Sequence, residues 1–268
     1  MPLQIASLNS GSNANCYYIG TANDAVLVDA GLSCRETERR MKEQGLTMEK
    51  VKALFISHEH ADHITGMAGI AKKYQLPVYI TEGTLRHSGI PVDASLVRSF
   101  KHGKSISIGA LSVLPFRKSH DAADPHSFMV SGAAVHIGII TDIGYACKRV
   151  TKCFSQCHAV FLESNYCEDM LEKGNYPYHL KKRIRSDEGH LSNAQALELF
   201  QHYRSPDLQL LILSHLSKNN NKPELVKKLF APHAGDVKVL IASRYKASPV
   251  FDVACSKVIS RKGVKGSQ

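Results

Sequence analysis

The residues best suited to chemistry in this 268-residue chain lie close together at positions 57–63. Their side chains form the pattern H-x-H-x-D-H, contributed by His58, His60, Asp62 and His63. Neutral imidazole nitrogens and carboxylate oxygens are ligands for zinc, and equally for manganese or iron. Two such ions about 3.5–4 Å apart can share a hydroxide and stabilise both the attacking and the leaving oxygen of a phosphoryl transfer. The pattern therefore predicts a site for two divalent metal ions.

Four side chains cannot complete the coordination shells of two ions, so further His and Asp ligands are expected elsewhere in the chain. Candidates follow shortly after apolar, strand-like runs, and they are Asp29, His120, Asp142 and His215. The runs that precede them are 25–28, 111–116, 134–140 and 208–213. Residues at the ends of several strands can meet at one edge of a sheet, so these side chains are expected to converge.

The elements that must position the H-x-H-x-D-H pattern can also be predicted. The apolar run 51–56 before it has the length and composition of a buried strand, and 64–74 after it has a helical pattern. A second helix is predicted over 33–44, opened by the capping box of Ser33 and Glu36. Helical and strand-like runs alternate along the chain, which indicates an α/β protein.

Taken in order, these candidate residues resemble the five motifs of the metallo-β-lactamase superfamily over about residues 3–245. The resemblance implies an αββα sandwich in a single domain, with the metal site at the edge between its two sheets. It implies that the first ion is held by His58, His60 and His120, and the second by Asp62, His63 and His215. It further implies that Asp142 bridges the ions and that Asp29 orients ligands without binding metal itself.

Two further residues indicate which branch of the superfamily the chain resembles. Glu163 ends the apolar run 159–162, and His190 opens a polar segment just before a predicted helix. The pair resembles the Glu and His of ribonuclease Z, which assist departure of the leaving group. The segments 8–15, 119–121, 141–144, 189–193 and 215–220 are closer still to the YycJ/WalJ family, regarded as 5′-to-3′ exonucleases.

The resemblance implies metal-dependent hydrolysis of a phosphodiester in nucleic acid, with DNA favoured over RNA as substrate. Asp62 would accept a proton as well as bind metal, and Glu163 and His190 would assist the leaving 3′-oxygen. A small-molecule phosphodiesterase, acting on a cyclic or nucleotide-derived phosphate, stays open as the alternative. The residues alone do not distinguish DNA from RNA, or cleavage at an end from cleavage within a strand.

Candidate substrate contacts come from the charge pattern. The formal net charge is +10, and basic residues flank the predicted site at Lys181, Lys182, Arg183, Arg185 and Lys218. They would bind a polyanionic backbone, with Tyr176 and Tyr178 stacking on unpaired bases. The alternative is an ordinary solvated helix face. A polar loop between the first two predicted strands could hold a substrate phosphate through Ser10, Ser12 and Asn13.

Composition sets broader expectations. Residues 1–20 lack a signal-peptide pattern, and no segment approaches the roughly 18 apolar residues that span a membrane. The odd number of cysteines, seven, favours a reducing cytoplasm. Four of them crowd residues 147–167, where packing thiols are expected and a structural zinc site is the alternative. We expect one catalytic domain over residues 1–257, followed by a basic, disordered tail at 258–268.

Overall fold

The apolar runs of the sequence form the central strands of two mixed sheets. The computed structural model describes residues 2–255, so the predicted tail and the domain boundary at 257 lie outside the described residues. The first sheet has the strand order β14-β1-β2-β3-β4-β5-β6. Its strands are β1 (Leu3–Asn9), β2 (Cys16–Gly20), β3 (Ala25–Val28), β4 (Val51–Phe55), β5 (Val78–Tyr79), β6 (Val97–Arg98) and β14 (Phe251–Val253).

The second sheet has the order β13-β12-β11-β10-β9-β8-β7. Its strands are β7 (Ile106–Ile108), β8 (Leu111–Arg117), β9 (His126–Gly132), β10 (Val135–Ile140), β11 (Ala159–Glu163), β12 (Leu210–Ser214) and β13 (Lys238–Ile241). Each sheet contains one run of parallel strands, β3 to β6 in the first sheet and β10 to β13 in the second, and its other neighbouring strands pair antiparallel.

Helices cover the outer faces of both sheets. They are α1 (Cys34–Glu43), α2 (Ala61–Ile64), α3 (Met67–Tyr74), α4 (Glu82–Ser88), α5 (Lys148–Phe154), α6 (Glu168–Lys173), α7 (Tyr178–Arg185), α8 (Asn193–Tyr203) and α9 (Pro223–Phe230). Single 3₁₀ turns lie at Met48–Lys50 and Ala231–His233. Helices α1 and α3 pack on the first sheet, whereas α5, α8 and α9 pack on the second.

The central strands are apolar on both faces because each sheet is buried on both sides. In β11, Phe161 points into the layer between the sheets, and its neighbours Val160 and Leu162 point toward the helices. Alternate residues of a strand face opposite sides of the sheet, so a strand buried twice needs an unbroken apolar run. The result is the αββα sandwich that the resemblance implied, with one core between the sheets and one outside each of them.

One predicted helix is divided in two. The helix expected over 64–74 is interrupted by Thr65 and Gly66, which separate α2 from α3. The Gly66 N–H donates to the carbonyl of Ala30, and a Cβ at residue 66 would lie 1.9 Å from the Leu32 carbonyl oxygen. Only glycine allows this approach, which holds the loop after β4 against the loop after β3.

Candidate metal centre

The candidate ligands converge because the strands that precede them end at the same edge of the sandwich. Parallel pairing of β3 with β4 places Asp29 beside the 57–63 loop. Parallel pairing of β10, β11 and β12 brings Asp142, Glu163 and His215 side by side. Strand β8, two antiparallel steps from β10, ends at this edge too and delivers His120.

Three imidazoles form the first group of possible ligands. The distance from His58 Nε2 to His60 Nδ1 is 3.2 Å, and the distance from His120 Nε2 to the same His60 atom is 3.4 Å. In two of these rings the other nitrogen contacts a backbone carbonyl, which holds the ring in place. His120 Nδ1 lies 3.0 Å from the Gly189 carbonyl oxygen, and His60 Nε2 lies 3.2 Å from that of Asp121. The structure therefore brings together the three histidines that the resemblance assigned to one ion.

A second group contains one carboxylate and two imidazoles. Asp62 Oδ2 lies 3.4 Å from His63 Nε2 and 3.5 Å from His215 Nε2. Asp142 lies between the two groups: its carboxylate oxygens are 3.3 Å from His63 Nε2, 3.4 Å from His215 Nε2 and 4.0 Å from His120 Nε2. Asp142 thus lies within reach of both groups of candidate ligands.

Asp29 lies behind the ligands instead of among them. It is fully buried, and its carboxylate accepts hydrogen bonds from the Ser57 N–H at 2.8 Å and from the Ser57 hydroxyl at 2.9 Å. The Nδ1 atom of His63 donates to the same carboxylate at 2.7 Å. This bond fixes the ring of His63 and leaves its Nε2 atom facing the cluster.

Three of these residues have a left-handed backbone conformation. Asp29, Asp142 and His215 have φ angles of 62°, 55° and 55°, a region that residues with a side chain rarely adopt. Each stands one residue beyond, or two beyond, the end of a strand, where the chain must turn sharply. Three of the six non-glycine residues with positive φ among the described residues therefore lie at the sheet edge that carries the candidate ligands.

The protonation tendencies of the two groups differ. Burial lowers the pKa of His58 well below its usual range and that of His120 to about 3, so both rings are neutral at pH 7. Burial acts in the same direction on His63, but the carboxylates of Asp29, Asp142 and Asp62 outweigh it and raise its pKa. The second group therefore has an excess of buried negative charge, which a bound cation would balance.

The donor set fits divalent metal ions. The groups His58–His60–His120 and Asp62–His63–His215 each bring their ligand atoms within 4.8 Å of one another. Asp142 Oδ2 is buried and has no hydrogen-bond donor among the described residues. A buried carboxylate oxygen without a donor is costly unless a cation or another donor meets it.

Glu163 and His190 lie beside the second group. Their hydrogen bond joins His190 Nδ1 to Glu163 Oε1 at 2.8 Å, and the same oxygen is 3.0 Å from His215 Nδ1. The other oxygen, Oε2, accepts from the N–H groups of Ile143 and Leu191. One carboxylate thus supports both His190 and a candidate metal ligand, a link that the sequence did not reveal.

Comparison with known proteins agrees with this geometry. The profile described as Beta-lactamase superfamily domain matches residues 24–216. Exodeoxyribonuclease YycJ of Bacillus anthracis is 37% identical over 232 residues, which cover 85% of this chain and 87% of that protein. Exodeoxyribonuclease WalJ of Streptococcus pneumoniae is 33% identical over 260 residues, 92% of this chain and 96% of that protein.

The chain belongs to the YycJ/WalJ family of the metallo-β-lactamase superfamily. It is therefore a metal-dependent hydrolase, and its His and Asp groups imply divalent metals. Among solved structures, the metallo-β-lactamase fold protein YhfI of Bacillus subtilis superimposes with a TM-score of 0.74. It covers 94% of this chain and 100% of its own at 14% identity, so this likeness establishes the fold alone.

In this family member the predicted basic helix is present as α7, but much of its charge is paired. Arg183 bonds to the carboxylate of Asp121, and Arg185 bonds to that of Glu172. Lys181 donates to the Glu172 carbonyl oxygen, whereas Lys182 is exposed and enters no ion pair of the described residues. Two of the four bases are therefore partly neutralised before any substrate binds. The Tyr178 ring, at the start of the helix, is 81% exposed.

The predicted phosphate loop is more enclosed than its composition indicated. Ser10 is buried, and its hydroxyl contacts the Tyr17 hydroxyl at 2.8 Å and accepts from the His215 N–H at 2.8 Å. The Ser10 and Gly11 N–H groups donate within the protein, so they are not available as an anion cradle. Ser12 and Asn13 are exposed at the tip of the loop, and Lys218 is exposed beyond His215.

Asn15 is a supporting residue that the sequence analysis missed. Its side-chain Nδ2 donates to Asp62 Oδ2 at 2.9 Å, and its backbone N–H donates to the Asp62 carbonyl at 2.7 Å. Asn165 plays a similar part for His215, donating to its carbonyl oxygen at 2.8 Å. Asn15 lies in a segment that was recognised and Asn165 does not, and only the folded geometry shows what their amides contact.

Other expectations concern regions away from the cluster. The residue groups of the described chain that could hold a metal contain no cysteine, and Cys153 and Cys157 pack in the core of the second sheet. Residues 2–255 contain no helix long and apolar enough to cross a bilayer.

Proposed function

We propose that this hydrolase cleaves phosphodiester bonds of nucleic acid, as a 5′-to-3′ exonuclease acting on DNA. The observation that carries the proposal is the position of His190. Its Nδ1 atom is engaged by buried Glu163, its Nε2 atom makes no hydrogen bond among the described residues, and its side chain is 20% exposed beside a nearly enclosed cluster. A histidine so placed suits proton donation to a leaving oxygen.

Two divalent ions, of zinc, manganese or iron, would be held by the two groups of side chains. His58, His60 and His120 would bind one ion, and Asp62, His63 and His215 the other, with Asp142 between them. When bound, such ions activate water and neutralise the charge that develops on a phosphate. Asp29 would keep His63 in the orientation that presents Nε2.

The protein's own proton transfers would use two carboxylates and one imidazole. Asp62 Oδ2, oriented by the Asn15 amide, would accept the proton of the attacking water. His190 would hold a proton at Nε2 for the departing 3′-oxygen, while Glu163 Oε1 accepts from Nδ1 and stabilises the charged ring. Burial raises the pKa of Glu163, but the charge of His190 and the hydrogen bonds from His190 and His215 together outweigh it and lower that pKa to about 2, so the carboxylate is ionised at neutral pH.

Nucleic acid as substrate is supported by the names of the relatives and by the charge of the chain. Both relatives aligned over most of the chain are named exodeoxyribonucleases. The net charge of +10 favours a polyanion. Cytoplasmic nucleic acid is the substrate we expect.

The test combines metal analysis with a timed digest of 5′-labelled single-stranded DNA, duplex DNA and RNA. We expect two ions per chain at saturation, DNA degraded faster than RNA, and label released first as mononucleotide. At most one ion per chain would contradict the dinuclear centre. Hydrolysis of a cyclic nucleotide, without cleavage of any polymer, would instead support the small-molecule phosphodiesterase.

A further inference from the structure

A cavity adjoins the candidate metal centre at Ser10. Its volume is about 230 Å³, and its walls come from the loops after β1, β12 and β13. We call it the Arg244 cavity, and its polar lining includes Ser10, Ser217, Lys218, Ser243, Arg244 and Tyr245. Ser10 connects it to the cluster, because its hydroxyl accepts from the His215 N–H and its own N–H donates to the Ser243 carbonyl.

Arg244 lines this cavity as a half-buried cation without a carboxylate. One of its Nη atoms donates to the Leu216 carbonyl oxygen at 2.5 Å, which leaves other N–H groups of the planar guanidinium for a ligand. Neither Arg244 nor Lys218 enters an ion pair of the described residues, in contrast to Arg183 and Arg185. Burial lowers the pKa of Arg244, a sign that the cation has lost solvent without gaining an anion.

Tyr245 adds an aromatic surface at the mouth of the cavity. Its ring is 72% exposed, although its backbone is firmly held. The Tyr245 N–H donates to the Ser243 hydroxyl at 3.1 Å, and its carbonyl oxygen accepts from buried Arg40 at 3.2 Å. Arg40 in turn donates to the Leu8 carbonyl at 2.8 Å, which ties this loop to the end of β1.

We propose that the Arg244 cavity binds the nucleotide adjoining the bond to be cleaved. Arg244 and Lys218 bind its phosphate, and Tyr245 stacks on its base. A guanidinium suits a phosphate because its fork matches two phosphate oxygens, and aromatic rings accept any base by stacking. The inference rests on the proposed nuclease function and extends it with a binding subsite. The phosphate could be a terminal 5′-phosphate or an internal one of the strand.

The experiment compares Arg244→Gln with Arg98→Gln in the full-length, metal-loaded protein. Arg98 is a matched control, since it also donates to backbone carbonyls but lies in β6, at the far edge of the first sheet. The substrates are short single-stranded DNAs of one sequence, with either a 5′-phosphate or a 5′-hydroxyl. Arg244→Gln should raise KM about tenfold or more and change kcat much less.

The two substrates distinguish the two sources of phosphate. A terminal phosphate in the cavity confines the rise in KM to the 5′-phosphorylated strand, whereas an internal phosphate gives equal rises for both. Arg244→Lys should recover part of the loss, because it restores the charge but not the fork. Tyr245→Ala, which alters only an exposed ring, should raise KM about fivefold or more on both strands.

Binding measurements give a readout independent of turnover. Fluorescence anisotropy of labelled DNA with Asp62→Ala should show a Kd about tenfold or more below that of Asp62→Ala/Arg244→Gln. The subsite is refuted if wild-type protein degrades DNA while Arg244→Gln and Tyr245→Ala match Arg98→Gln in KM. If wild-type protein cleaves no nucleic acid at all, the proposed function fails first and the subsite fails with it.

Discussion

The buried cluster at the sheet edge and the exposed helix α7 beside it use carboxylates in opposite ways. In the cluster, Asp29 and Glu163 accept hydrogen bonds from imidazoles and hold the rings in position. The arginines of α7, which were expected to bind a substrate, instead pair with the carboxylates of Asp121 and Glu172. The same chemistry preorganises one region and neutralises the other. Changes in the cluster should therefore have far larger effects than changes on α7.

The largest effect is expected from Asp62→Ala. It removes a candidate ligand and the proposed proton acceptor, while the loop backbone keeps its bond from Asn15. Loss of metal-assisted stabilisation worth several kcal/mol corresponds to a fall in kcat of about 10³-fold or more. Steady-state digestion of DNA measures it, with exposed Asp236→Ala as control. Unaltered turnover in Asp62→Ala would refute the mechanism.

His190→Ala should have the next largest effect, and the effect should depend on the leaving group. General acid catalysis contributes about 10²-fold or more, so DNA cleavage should fall by that factor. A nitrophenyl phosphodiester releases a stabilised anion, and its hydrolysis should fall much less. Equal losses on both substrates would mean that His190 maintains the shape of the site and does not donate a proton.

Metal content should distinguish the role of His190 from that of its hydrogen-bond partner Glu163. His190 is not assigned as a ligand, so His190→Ala should retain both ions. Glu163 also contacts His215 Nδ1 at 3.0 Å, so Glu163→Ala should bind metal more weakly. Metal analysis of the two variants side by side tests this. Loss of an ion from His190→Ala would instead make His190 a ligand, as its place in a group with Asp142, Glu163 and His215 allows.

A smaller effect is expected on helix α7. With Arg183 and Arg185 already paired, only Lys181 and Lys182 are expected to contact phosphates. Replacing both lysines with Gln should flatten the dependence of log K on log salt by at most about 1.4, at about 0.7 per contact for a single strand. Anisotropy titrations at several salt concentrations measure the slope, with Lys101→Gln/Lys104→Gln as control. A larger change would contradict the count of two phosphate contacts for these lysines.

The smallest effect is expected on stability, from the ion pairs that Glu36 forms with Arg39 and Arg40. Bonds from Arg39, and then from Arg40, lower the pKa of the Glu36 carboxyl to about 2. A lowered pKa means that the pair stabilises the fold above about pH 4.5, and that this contribution disappears as the pH falls toward 2. Glu36→Gln should therefore lower the free energy of unfolding by about 1 kcal/mol at pH 7 and by less at pH 3. Urea unfolding at both pH values measures it, and an equal difference at both would contradict the assignment.

The structure brings the candidate ligands together as the sequence predicted, because each follows an apolar run. Asp142 and His215 could be placed at one edge since strands of such composition are buried and parallel ends meet there. The split between α2 and α3 was missed because it depends on the contact of Gly66 with the neighbouring loop. The sequence singled out Ser10 and Lys218 but not Arg244 or Tyr245, because the walls of the Arg244 cavity come from three loops distant in sequence. Ion pairs such as Arg183–Asp121, which join positions far apart, are likewise invisible before folding.

The left-handed backbone at Asp29, Asp142 and His215 has a consequence for how the protein tolerates mutation. At up to about 1–2 kcal/mol each, the three residues together cost at most about 3–6 kcal/mol, against a net stability of about 5–15 kcal/mol for an ordinary domain. The two sheet cores must hold these turns in place. Small losses of packing behind the site, for example at Phe161 between the sheets, would release the turns before the fold unravels. Inactivation on heating should therefore precede global unfolding.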